Sequence, residues 1–169
     1  MNAVLRNVRG VNLPRGKQSG IRYGQKKQNG QSDLEQLIDI RNWLKNRWKI
    51  NAKREYYVVF DKETERIYMI TDHVNKEDLG ETIINDDGYK EYNQTRFAKN
   101  PDLLWIDKNG LWIIEVDGAV HDRNVKKTNE RNELYISNSI KLIVVNLSDL
   151  KELKINIYDY IDQQIKAMI

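Results

Sequence analysis

The stretch from Asp102 to Asp117 constrains the fold of this chain more than any other part of the sequence. It reads D-L-L-W-I-D-K-N-G-L-W-I-I-E-V-D, two apolar segments separated by Lys108-Asn109-Gly110. Asn-Gly is favoured in the tight turns that join antiparallel strands. The second apolar segment is almost uninterrupted, which is typical of a strand that is covered on both faces. We therefore predict a hairpin whose second strand lies inside a sheet.

Helical patterns occur on either side of this hairpin. Apolar residues recur at helical spacing over 33–48, where Ser32 and Glu35 have the spacing of a capping box. A second apolar stripe runs over 156–168, and the polar residues 123–138 are also helical in character, with Leu134 and Ile136 as inward candidates. The sequence therefore predicts three helices, one before the hairpin and two after it.

Short segments rich in β-branched and aromatic residues predict further strands at 55–60, 66–71 and 140–146. Residues 72–97 are polar and are predicted to be irregular, with a turn at 86–88 and at most one short element. Strands alternating with helices favour layered packing. The predicted fold class is α/β, with a mixed central sheet and helices on both of its faces.

The first 31 residues are basic and contain no acid. Their basic side chains are Arg6, Arg9, Arg15, Lys17, Arg22, Lys26 and Lys27. A segment this polar and glycine-rich cannot bury enough apolar surface to offset the entropy of ordering it. We therefore predict a disordered arm over 1–31 and one domain over 32–169, with an insertion at 55–97. A polyanion, most naturally a nucleic acid, is the expected partner of the arm; a solubilising tail is the alternative.

Composition excludes several classes of protein. The chain has no cysteine, so it has neither disulfides nor thiolate metal sites. No apolar run reaches the roughly 18 residues that cross a bilayer, so no membrane partner is expected and a cytoplasmic setting is the default. The phosphate-binding loop of nucleoside triphosphatases is missing as well.

Three acidic residues flank the predicted hairpin. Asp102 opens its first strand, while Glu115 and Asp117 stand two residues apart at the end of the second and so share one face. Pairing through the turn brings the three carboxylates together, an arrangement that is costly without a cation. Such oxygen ligands suit Mg²⁺ or Mn²⁺, which can activate water for phosphodiester hydrolysis. His121 is the candidate general acid or base. The alternative is that these are solvated residues at strand ends.

The combined pattern resembles a known nuclease family. It comprises Pro101-Asp102, then Glu115-x-Asp117-Gly118-x-x-His121, then Arg131 and the strand I-K-L-I-V-V-N. This is similar to the PD-(D/E)xK nuclease superfamily, in the branch that resembles very-short-patch-repair endonucleases and E-D-x-H-D homing endonucleases. The resemblance covers about residues 32–150. The chain departs from many relatives at Thr128, where they carry an aspartate three residues before the arginine.

The resemblance implies a mixed central sheet flanked by helices and Mg²⁺-dependent hydrolysis of DNA, by a protein of a phage or mobile element. The metal would be held by Asp102, Glu115 and Asp117. His121 would assist proton transfer, and Glu35 would take the place of the glutamate on the family's first helix. Arg131 would contact a phosphate or brace the acids; the alternative is an ordinary exposed arginine on a helix.

Two alternatives to an endonuclease remain open at the level of the sequence. One is a non-catalytic nucleic-acid-binding protein on a degenerate nuclease fold, although the retention of all three acids argues against it. The other is an assembly protein whose basic arm threads into a partner. A homodimer is a further hypothesis, because a chain this small offers one active site and cutting both strands needs two events.

Overall fold

The computed structural model describes residues 33–118 and 124–169. Within these ranges the helices are α1 (Asp33–Trp48), α2 (Lys76–Leu79), α3 (Val125–Ser137), α4 (Leu147–Leu153) and α5 (Ile157–Met168). The strands are β1 (Tyr57–Asp61), β2 (Ile67–Thr71), β3 (Gly80–Ile84), β4 (Lys90–Gln94), β5 (Arg96–Lys99), β6 (Leu103–Asp107), β7 (Gly110–Asp117) and β8 (Lys141–Asn146). The predicted arm at 1–31 and His121 lie outside the described residues.

The described residues divide into two compact units. The first unit joins 33–54 to the described residues between 101 and 169. The second unit is 55–100, and it contains the segment 55–97 that the sequence predicts to be an insertion.

The second unit is built from antiparallel strands. Its larger sheet has the order β2-β1-β5, and β3 pairs with β4 in a separate two-stranded ribbon. The prediction that 72–97 is irregular is wrong, because this segment holds α2, β3, β4 and the start of β5. Most of the side chains of β3 and β4 are exposed, so the ribbon lacks the apolar alternation that signals a half-buried strand.

The sheet of the first unit has the order β6-β7-β8. β6 and β7 pair antiparallel across the predicted turn, where Gly110 has a φ of 115° that favours glycine. β7 and β8 pair parallel, with α3 as the crossover between them. The sheet is therefore mixed, and β7 is its central strand. The described chain combines helices with several sheets, so the predicted α/β class is confirmed.

Helices cover both faces of this sheet. On one face Trp112 and Ile114 of β7 pack in a core with α1 and α5, which contribute buried residues such as Ile40 and Ile161. Each such buried side chain contributes roughly 1.5–3 kcal/mol. Because alternate residues of a strand point to opposite faces, Glu115 and Asp117 face the other way, toward α3.

The chain after β8 differs in one detail from the prediction. The helix predicted at 156–168 is confirmed as α5, but the short helix α4 before it has no counterpart in the sequence analysis. α4 buries only Leu150, so its apolar period is too weak to recognise. Its first turn is capped by Asn146, whose side chain accepts a hydrogen bond from the Asp149 N–H at 3.0 Å.

Among the described residues, every helix is too short or too polar to span a bilayer.

Candidate active site

The three predicted acids lie at one end of the β6–β7 hairpin. The register pairs Leu103 with Ile114, so one step further along the strands Asp102 lies opposite Glu115. The Asp102 N–H donates to Glu115 Oε1 at 3.0 Å, and Asp102 Oδ2 accepts from the Val116 N–H at 2.8 Å. Each carboxylate is thus held by the backbone of the opposite strand, and the two lie side by side.

Arg131, on α3, connects the acids of β7. It donates to both oxygens of Asp117, from Nη1 at 3.2 Å and from Nη2 at 3.1 Å. Its Nε lies 3.4 Å from Glu115 Oε2. Asn132 holds the guanidinium from the other side, since its Oδ1 accepts from Nη2 at 2.9 Å. A planar arginine fork is suited to this two-pronged contact with a carboxylate.

Tyr135 completes the contacts of Glu115. Its hydroxyl donates to Glu115 Oε2 at 3.0 Å, and the side chain is almost completely buried. Arg131 and Tyr135 are four residues apart, so they lie on the same face of α3. One helix face therefore orients the carboxylates that β7 presents.

Negative charge exceeds positive charge in this group, because three acids face one arginine. Burial, and then the charge of Asp102, raise the pKa of Glu115 to about 8, although Arg131 and the hydrogen bonds to Glu115 act in the opposite direction. Burial alone would lower the pKa of Arg131, but the charge of Glu115 and the contacts with Asp117 raise it. Burial and the Glu115 charge raise the pKa of Tyr135, so this phenol is a neutral donor.

The fit of the group to a metal ion rests on its donor atoms. Within the described ranges, no three Asp, Glu or His side chains are grouped closely enough to hold a metal. Mg²⁺, however, is commonly bound by one or two carboxylates together with water and substrate phosphate. Asp102 and Glu115 offer adjacent hard oxygen donors with excess negative charge, and they fit that kind of site. Asp117 could join them only after Arg131 releases it.

Two other predicted site residues are not brought into this group by the described contacts. Glu35 is an exposed residue in the first turn of α1, the helix on the opposite face of the sheet from Glu115. Its role as an additional acid stays a prediction. His121 lies outside the described residues, so its role in proton transfer stays a prediction too.

An open cleft of about 460 Å³ adjoins Asp117. It is bordered by α3, by the end of β8 and by α4, and its lining includes Thr128, Asn132 and Asn146. Ligands of α/β proteins commonly bind beyond the carboxyl ends of parallel strands, which is where this cleft lies. Of the three acids Asp117 lines this cleft, so there is room for a substrate at the Asp117 end of the group.

Sequence reasoning missed Tyr135 and Asn132. The pattern of α3 indicated Leu134 and Ile136 as the inward residues; Leu134 is buried, but Ile136 is 62% exposed. The sequence did contain one signal: Tyr135 stands four residues after Arg131, so the two side chains share a helix face.

This chain matches no protein-family model, no curated protein and no solved structure.

Proposed function

We propose that the protein is a metal-dependent DNA endonuclease built on a restriction-endonuclease-like core. The observation that carries the proposal is the convergence of Asp102, Glu115 and Asp117 at one end of a hairpin, beside a partly buried arginine and an open cleft. Three acids from paired strands are not needed to stabilise a sheet, and burying them is costly. Buried ionisable groups with perturbed pKa values are concentrated at functional sites, which supports a chemical role for these acids.

The order of elements supports the proposed core. In the first unit the chain runs through α1, β6, β7, α3 and β8, with the aspartate at the start of one strand and Glu-x-Asp at the end of the next. Arg131 follows on the next helix, and the apolar strand β8 comes after it. These are the positions on which the resemblance to PD-(D/E)xK nucleases rests.

In the proposed reaction, Asp102 and Glu115 would hold Mg²⁺ or Mn²⁺, which would polarise a phosphodiester and lower the pKa of a bound water. Tyr135 and Arg131 keep the Glu115 carboxylate in one orientation. His121 takes the proton from the attacking water or gives one to the leaving oxygen.

Arg131 braces the acids in this scheme. Its side chain is 13% exposed and donates to Asp117 with both prongs of its fork, which an ordinary solvent-facing helical arginine does not do. Its positive charge also offsets part of the repulsion between the carboxylates and an incoming phosphate.

One observation favours a second candidate, a non-catalytic nucleic-acid-binding or assembly protein on a degenerate nuclease fold. Both oxygens of Asp117 accept hydrogen bonds from Arg131, which is a structural use of a carboxylate. In that case the basic arm and the surface of the first unit carry the function, and the acids only tie α3 to the sheet.

Cleavage assays distinguish the two candidates. The purified chain is incubated with supercoiled plasmid and with single-stranded DNA, in Mg²⁺, in Mn²⁺ and in EDTA. The variants are Asp102→Asn and Glu115→Gln, and Glu133→Gln is the matched control because Glu133 is exposed on the outer side of α3. The endonuclease proposal expects metal-dependent cleavage that both site variants lose and the control keeps. Salt-sensitive DNA binding without cleavage in either metal supports the second candidate instead.

The homodimer hypothesis is tested on the same material. Sedimentation of the wild-type chain with and without a DNA duplex gives the mass of the complex. A strict monomer on a duplex that it cuts in both strands refutes the dimer.

A further inference from the structure

A second cleft in the first unit is lined by basic residues. It has a volume of about 330 Å³ and lies between the later turns of α1 and the segment 50–54. Its basic side chains are those of Arg41, Lys45, Lys53 and Arg54. Two asparagines and two apolar residues complete the lining, and none of the lining residues is acidic.

Among residues 33–118 and 124–169, no acidic side chain neutralises the charges of this basic cleft. Within the described part of the chain, none of the four basic side chains takes part in an ion pair. By contrast Arg47, on the same helix, pairs with Asp162 of α5. Like charges gathered in a concavity repel one another and produce a strong positive potential there. The basic cleft is therefore suited to an anion.

Arg54 provides an independent sign of an anionic ligand. Its Nε is buried and has no hydrogen-bond partner. Buried donors in proteins are nearly always paired, and each exception needs an explanation. A phosphate oxygen is an acceptor of the right charge and size for a guanidinium donor.

The basic cleft lies along the edge of the sheet that carries the acids. The Lys53 N–H donates to the Leu104 carbonyl at 2.7 Å, and the Leu104 N–H donates to the Lys53 carbonyl at 3.0 Å. Paired residues point to the same face of a sheet, and Asp102 is two residues from Leu104, roughly 7 Å along the strand. Lys53 therefore points to the face of Asp102 at the edge of the sheet formed by β6, whereas Arg41 and Lys45 of α1 line the same cleft from the other face.

We propose that this basic cleft binds the phosphate backbone of a DNA strand whose neighbouring phosphate lies at the carboxylates. DNA carries a negative charge about every 3.4 Å per strand, so one strand can contact both places. The assignment rests on the DNA-binding part of the proposed function. It adds Arg41, Lys45, Lys53 and Arg54 to the basic arm and Arg131 as nucleic-acid contacts.

DNA binding in EDTA tests this assignment without cleavage. Fluorescence anisotropy with a labelled duplex is measured over a series of salt concentrations for the full chain. The test variant is Lys45→Gln/Lys53→Gln, in which both side chains are exposed. The control is Lys108→Gln/Lys151→Gln, which removes the same charge from the hairpin turn and from α4. Thermal unfolding checks that both variants are folded.

The test variant is expected to bind roughly tenfold more weakly than the control at about 0.1 M salt. Its plot of log affinity against log salt should be less steep by up to about 1.8, since each lost phosphate contact removes about 0.9. A second variant, Arg41→Gln/Arg54→Gln, should weaken binding by a similar factor.

Each outcome supports or overturns the assignment. Equal affinities and salt slopes for the test variant and the control overturn it, even if the wild-type chain cleaves DNA with Mg²⁺. Weakened binding in the test variant supports it, even if no metal gives cleavage, in which case only the enzymatic proposal fails. A wild-type chain that does not bind DNA overturns both.

Discussion

Replacing Glu115 with glutamine should make the stability of the metal-free protein much less dependent on pH. Glu115 is buried beside Asp102, and its pKa is raised from 4.5 to about 8. A raised folded-state pKa means that the folded protein binds the proton more tightly than the unfolded chain does. The stability that the protonated Glu115 contributes is therefore complete below about pH 4.5 and is lost as the pH rises through about 8. Glutamine mimics the neutral acid and does not titrate.

The expected effect follows from the two pKa values. Between pH 5.5 and pH 8, titration of Glu115 lowers the free energy of unfolding by about 3 kcal/mol in the wild type and not in Glu115→Gln. For a chain of this size, about 3 kcal/mol corresponds to a change in Tm of roughly 6–12 °C. Glutamine keeps a side-chain oxygen that can accept from Arg131 and Tyr135, so the change in stability with pH, rather than the absolute stability, isolates the ionisation of Glu115.

The assay is urea unfolding followed by circular dichroism, in EDTA, at several pH values between 5.5 and 8. Wild type, Glu115→Gln and the control Glu133→Gln are compared, and the control should follow the wild type because Glu133 is exposed. Parallel profiles for wild type and Glu115→Gln would show that the buried carboxylate titrates near its ordinary pKa. A pKa of Glu115 raised by burial and by Asp102 would then be excluded.

Three further predictions concern the same group. Arg131→Met removes the cation that pairs with the buried Asp117 and should lower the free energy of unfolding by about 3–5 kcal/mol in urea at pH 7. A decrease of less than about 1 kcal/mol would contradict the contribution of this ion pair. Tyr135→Phe removes the hydrogen bond to Glu115 and should lower the free energy of unfolding by about 1–2 kcal/mol in the same assay. In cleavage it should lower kcat and leave KM unchanged. A change in KM alone would exclude a positioning role. Mg²⁺ at 100 times its Kd should stabilise the wild type by about 2.7 kcal/mol and raise its Tm, but it should leave Asp102→Asn unchanged; equal shifts in both proteins would place the ion elsewhere.

The hairpin and its acids could be predicted from sequence because the signals that define them are local. Asn109-Gly110 specifies the turn and hence the antiparallel register, and the register brings Asp102 opposite Glu115. Two-residue spacing then puts Asp117 on the same face as Glu115. Helix α1 was equally predictable, since one apolar stripe packs on one core.

Tertiary structure alone decided what surrounds the acids. Helix α3 is polar on most of its surface, so its sequence did not show that Tyr135 faces inward and Ile136 outward; the sheet beneath it selects that face. The ribbon of β3 and β4 was missed for a related reason, because backbone pairing forms it without an apolar face. The basic cleft depends on Lys53 pairing with Leu104, a contact between residues far apart in the chain. Local chemistry thus determined the turn and the register, whereas the partners of each buried charge depend on packing between distant segments.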